Sequence, residues 1–104
     1  MDSELLHDLL HANDEVFDEA ANRIRAKAHA AIEEAMMETA IRADGLGLPD
    51  AATLLAAERE ATTRIEQIRT LALCEMRMLQ WQRRYRAKAI RAFVQGRSAP
   101  ALEP

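Results

Sequence analysis

Apolar residues recur three and four positions apart along almost the whole chain, the spacing of one face of an α-helix. Leu6, Leu10, Phe17, Ile24, Ala31 and Ala35 form one stripe. Ile65, Ile68, Ala72, Met76, Leu79, Ala87, Ile90 and Val94 form another, with Arg83 completing its three-four-four rhythm. Two stretches punctuate this pattern. In Ala43-Asp44-Gly45-Leu46-Gly47-Leu48-Pro49-Asp50, Gly45 suits the left-handed residue that closes a helix, and Leu46 could fold back on Ile41. Pro49 and Asp50 suit the start of a new helix, where proline loses no hydrogen bond and an acid meets the positive end of the dipole. Gly96, followed by Arg97-Ser98-Ala99-Pro100, predicts the second helix end.

The reading is therefore all-α: a long antiparallel helical hairpin, coiled-coil-like, in a single domain spanning 1–96. Helix 1 covers about 3–43, the turn 44–50 and helix 2 about 50–95, with 97–104 a flexible C-terminal tail. Each helix would be roughly 60–70 Å long, and a short connection makes the two antiparallel neighbours. One alternative concerns the start. Ala12-Asn13-Asp14-Glu15 resembles a helix restart with Asn13 as cap, which would let Glu4–His11 fold back as a short third helix. Continuous helix is the favoured reading.

Composition thins this picture. Hydrophobic residues are 49% of the 104, but 21 of them are alanine, which favours helix and buries little area. Three glycines, three prolines and 30% charged residues fit long helices. A single cysteine, Cys74, excludes an intramolecular disulfide. Its setting among Leu71, Leu73 and Met78 predicts a buried, inert thiol. No signal-like start and no apolar run of membrane-spanning length are present, so a cytoplasmic location is expected.

Charge is arranged less randomly than composition suggests. Residues 1–19 carry seven acids and no Lys or Arg; residues 83–97 carry six bases and no acid. A hairpin turning near residue 47 pairs residue n with about 94 − n. That brings Asp8 near Arg86, Asp14 level with Gln80, and the acidic end along the basic one. The first reading is register selection by flanking charges. The second is a binding surface: Arg83, Arg84, Tyr85, Arg86, Lys88 and Arg91, with Trp81, interleave bases and aromatics as anion or nucleic-acid binders do.

The segment Leu71–Trp81 holds eight apolar residues in eleven, more than one face of a helix. Leu71, Met76, Met78, Leu79 and Trp81 are accordingly candidate interface residues. They would be covered by a third helix, by a second copy in a four-helix bundle, or by a foreign protein. A homodimer is the first reading and a heterologous partner the second.

Catalytic chemistry finds no support. His7 and His11 lie four apart, but further metal ligands are not specified. His29 and Glu33 form an ordinary surface pair, and Gly45 and Gly47 lack the spacing and lysine of a phosphate loop. No catalytic residue, metal or cofactor is assigned. The expectation is a small non-enzymatic interaction or regulatory protein of adaptor, chaperone or inhibitor type, with a nucleic-acid-binding regulator as the alternative.

Overall fold

Alanine, glutamate, arginine and leucine dominate both halves of the chain, and none of the described interior positions is proline. Nothing local interrupts an i to i+4 ladder. A computed structural model describes residues 2–45 and 50–98 of the protein. It contains two helices, α1 (Asp2–Gly45) and α2 (Ala51–Ser98), which make a two-helix hairpin. Thr39, Thr62 and Thr63 sit inside helices because each hydroxyl donates to the carbonyl four residues earlier, at 2.9 Å.

The two helices divide by packing into unit 1, residues 1–22 with 76–104, and unit 2, residues 23–75. In unit 1 the seam holds Phe17, Ala21 and Val94 buried, with Leu6, Leu10, Met76, Leu79, Ala87 and Ile90 half-buried. In unit 2 it holds Ala35 buried, with Ile24, Ala31, Ile65, Ile68 and Ala72 half-buried. Every residue of both predicted stripes is at least half-buried, apart from Arg83.

Arg83 is exposed, and it belongs to a polar layer across the unit 1 seam. Its Nε donates to Asp14 Oδ1 at 2.9 Å, while its carbonyl accepts from Asn13 Nδ2 at 3.5 Å. Asn13 is the one buried polar residue among those described. The favoured continuous helix is what the structure has, α1 running unbroken through Ala12–Glu15, so the alternative of Asn13 as a cap with a short third helix falls. The amide is turned across to α2 rather than back onto its own first turn. A single buried amide of this kind resists slippage, because a shifted register leaves it without its acceptor.

Several boundaries also differ from expectation. Asp44 and Gly45 are helical, and Gly45 does not take the left-handed conformation. The rest of the predicted turn, Leu46–Pro49, lies outside the described residues, as do 99–104 of the predicted tail. α2 passes through Gly96 to Ser98; a glycine costs a helix only about 1 kcal/mol and does not stop one unaided. The cross-helix partners set a later register than the expected total of 94. Asn13 and Asp14 meet Arg83, with numbers totalling 96 and 97. In unit 2, Glu38 meets Arg64 and Arg42 meets Glu60, both totalling 102, since an arginine reaches beyond its own turn.

The start of α2 is fixed by Asp50. Its Oδ1 accepts the Thr53 N–H at 2.7 Å and its carbonyl accepts Leu54 N–H at 3.2 Å, so Asp50 is the N-cap and Ala51 the first helical residue. Hydrogen bonding from Thr53, side chain first and backbone second, holds the Asp50 carboxyl below its ordinary value. A group whose folded-state pKa is depressed contributes stability above its unfolded pKa and loses it as pH falls through the folded one. Asp50→Ala should therefore lower the melting temperature by a few degrees at neutral pH. The difference from wild type should shrink as the solution is acidified below pH 4, which thermal melts followed by circular dichroism would show.

Candidate interaction surface

In unit 1 the helical period sorts α2 into bands around its seam. On the outer edge lie Met78, Trp81 and Tyr85, at 65%, 64% and 64% exposure, with Tyr85 at the corner nearest the groove that α2 forms with α1. The Trp81 and Tyr85 rings stack with centroids 5.6 Å apart and planes inclined by 15°. A spacing of four residues allows this, since i and i+4 side chains lie over one another. Beside them runs a basic band of Arg77, Arg84, Lys88 and Arg91, all exposed. Neither these four nor Arg86 has a carboxylate partner among the described residues.

One lateral side of unit 1 is apolar. Leu9, Ala12 and Val16 of α1 face Ala89, Ile90 and Phe93 of α2 across an open groove, with Tyr85 and Arg86 at its edge. Val16 and Phe93 are more than half exposed there. By the same helical period the opposite side carries His7, His11, Asp14 and Asp18 against Arg77, Arg84 and Arg91. Unit 1 is thus a plate with one greasy side and one charged side. Glu4, Asp8 and Asp18 have no cationic partner among the described residues, while Glu15 takes His11 at 3.1 Å.

Unit 2 is differently built. Two ion pairs, Arg42–Glu60 at 3.0 Å and Arg64–Glu38 at 2.6 Å, link its helices. The hydrogen bond from Arg64, and then its charge, holds the Glu38 carboxyl below its ordinary value. All four side chains are close to half exposed or more, so each pair adds little. Met36, Met37, Ile41, Leu55, Leu71 and Leu73 are exposed. Cys74 is exposed as well, which corrects the expected buried thiol. Leu71 and Leu73 near it in sequence are themselves on the surface.

The predicted interface residues separate into two sets. Leu71 lies exposed in unit 2; Met78 and Trp81 lie exposed in unit 1. Met76 and Leu79 are half-buried on the seam stripe, and serve the hairpin itself. Of the predicted anion contacts, Arg84, Tyr85, Arg86, Lys88 and Arg91 are exposed, and Arg83 is engaged with Asp14. Sequence reasoning missed the lateral groove. Its signal was present as a second three-four spacing, Leu5-Leu9-Ala12-Val16 and Arg86-Ala89-Phe93, beside each main stripe.

The His7 and His11 rings stack with centroids 6.3 Å apart. Among the described residues no three metal-ligating side chains come together, and no described helix is long and apolar enough to cross a membrane. Comparison with known protein families, curated proteins and solved structures returns no match.

Proposed function

We propose that this chain is a non-enzymatic, cytoplasmic interaction protein of adaptor, chaperone or inhibitor type, which takes a protein partner on the outer edge of α2. The observation that carries the reading is the row Met78, Trp81 and Tyr85, about two-thirds exposed, with the Trp81 and Tyr85 rings stacked. Tryptophan and tyrosine offer large contact areas at low entropic cost and dominate the energetics of interfaces. Methionine adapts to an irregular counterpart. The flanking Arg77, Arg84, Lys88 and Arg91 favour an acidic partner, so an amphipathic helix with apolar anchors and carboxylate flanks has the matching chemistry.

A second reading, a nucleic-acid-binding regulator, rests on the same place. Exposed stacked aromatics beside cations without carboxylate partners are what single strands use, bases stacking on rings and phosphates on Arg and Lys. The net charge of −3 and the acids at the same end of the hairpin favour the protein partner.

Trp81 is the only tryptophan and reports directly on this edge. An acidic amphipathic peptide should shift its emission to the blue, and Met78→Glu should weaken that titration about tenfold or more. Strong quenching by a single-stranded oligonucleotide at low salt, lost at high salt, would establish the second reading instead. If neither ligand changes the emission, the outer edge is not a binding surface and both readings fall.

A further inference from the structure

Met78, Trp81, Tyr85, Lys88 and Ala92 follow one another along the outer edge at steps of three, four, three and four. That is the spacing of a coiled-coil seam, seven residues to two turns, which keeps one face toward a partner helix along its length. All five are exposed. They lie outside the hairpin stripe of Met76, Leu79, Ala87, Ile90 and Val94, so α2 bears two seams in unit 1 and α1 covers one of them. Given the binding surface proposed above, on which this rests, we infer that the second seam takes a single helix of another protein in coiled-coil packing. That helix carries acids at seven-residue intervals along one flank only.

Charge selects this occupant. Arg77, Arg84 and Arg91 are also seven apart, and each stands immediately before a seam residue, Met78, Tyr85 and Ala92, on the same flank. Residues so placed meet the flanking charges of the opposite helix and set partner choice. None of the three arginines has a carboxylate partner among the described residues, and no acid occurs in the sequence from Met76 to Ser98. The other flank of the seam holds Gln82 and Ala89, both uncharged. Acids on both flanks of a partner would leave one set facing an amide and a methyl group. Acids on one flank match all three arginines.

Lys88 falls within the seam itself, between Tyr85 and Ala92. An acid opposite it would fix the partner's register, as a single polar residue in a seam does. A bilayer surface or a nucleic-acid strand also attracts cations, but neither has a seven-residue repeat to match.

Two peptides of equal composition test this, each about three heptads long with leucines at three-four spacing. In the first, glutamates lie at seven-residue intervals on one flank of the leucines. In the second, the same glutamates lie on the face away from them. Titrated into the full chain and followed by Trp81 emission, the first should bind about tenfold more tightly, the sum of three modest ion pairs. In the triple variant Arg77→Glu, Arg84→Glu, Arg91→Glu that preference should vanish, and a peptide with lysines on the flank should bind in its place. The three arginines are exposed and unpaired, so the fold stands, which circular dichroism of the variant checks. Equal binding of the two glutamate peptides to wild type overturns the placement of the acids and leaves the outer edge a binding surface. No change of emission with either overturns the surface as well. A larger response to phosphatidylserine vesicles or to a single-stranded oligonucleotide than to the first peptide overturns the helical partner. Self-association of the chain alone that the triple variant abolishes gives the seam to a second copy and overturns the foreign one.

Discussion

Phe17→Ala should remove most of the folding free energy of unit 1. Phe17 is 7% exposed and is the only aromatic residue buried in the protein. It sits on the seam stripe of α1, level with Leu79 in the register that Asn13 and Arg83 define. Truncating a buried phenylalanine costs about 3–5 kcal/mol, as lost transfer energy and as a cavity that surrounding atoms only partly fill. A domain of this size holds roughly 5–15 kcal/mol in total. This core is thinner than most, since Ala21 and Val94 are its other buried apolar residues among those described. Collapse onto the cavity is hindered by the polar layer one turn away, where Asn13 and Asp14 tie the helices to Arg83. The expected result is a fall in the urea midpoint to half the wild-type value or less, with the loss largest in hydrogen-exchange protection of residues 6–21 and 76–94. The comparison needs matched protein concentration, because association stabilises by mass action. A midpoint within a tenth of wild type would mean that Phe17 is not the anchor of this seam.

Much of the architecture was legible because a helix repeats its face over many turns. Fourteen positions could be assigned to two stripes on spacing alone, and all are at least half-buried. What escaped was local chemistry with two uses. Asn13 followed by two acids is a good N-cap sequence, and it is equally a good polar layer. The choice belongs to Arg83, seventy residues away, whose carbonyl accepts the amide. Gly45 and Gly96 were read as stops, but a glycine ends a helix only where the chain turns left-handed, and neither does. The register was off by two or more residues because it was counted from an assumed turn centre, when cross-helix partners are what set it.

The outer edge of α2 was visible as an excess: eight apolar residues in eleven cannot share one stripe. Which of them face the hairpin was also decided by spacing, and Met76 and Leu79 fall on the seam while Met78 and Trp81 fall outside it. The groove side was harder to see. Its half-stripes are short, contain alanines, and lie on helices whose contributing segments are about seventy residues apart. Only the pairing of Leu9, Ala12 and Val16 with Ala89 and Phe93 makes them one surface. The cationic band was legible as a charge run, but its significance depends on a structural fact: Arg83 alone finds an acid across the seam, and Arg84, Arg86, Lys88 and Arg91 find none among the described residues.

Ala35→Leu should destabilise the protein even though it adds apolar surface to an apolar position. Ala35 is the most buried residue described, at 1% exposure, and the only buried one among the described residues of unit 2. Its neighbourhood is made of small side chains: Ala57 and Ala61 on α2 are half-buried on the same seam, and the Thr39 hydroxyl folds back onto the Ala35 carbonyl. Helices come close where alanines face each other, and little space is left for more carbons. The cross-helix pairs Glu38–Arg64 and Arg42–Glu60 lie within two turns of Ala35 and set the separation there. Leucine must either leave its preferred rotamer or push the helices apart and lengthen those pairs. Overpacking of this kind costs about 1–3 kcal/mol, several times the few tenths by which leucine and alanine differ in helix propensity. Ala40→Leu, on the exposed side of the same helix, controls for propensity and should change stability by less than about 0.5 kcal/mol. The two variants differ only in the face they occupy. If Ala35→Leu melts at or above the wild-type temperature, the helices of unit 2 are not in close approach at this residue, and its burial reflects cover by longer side chains around it.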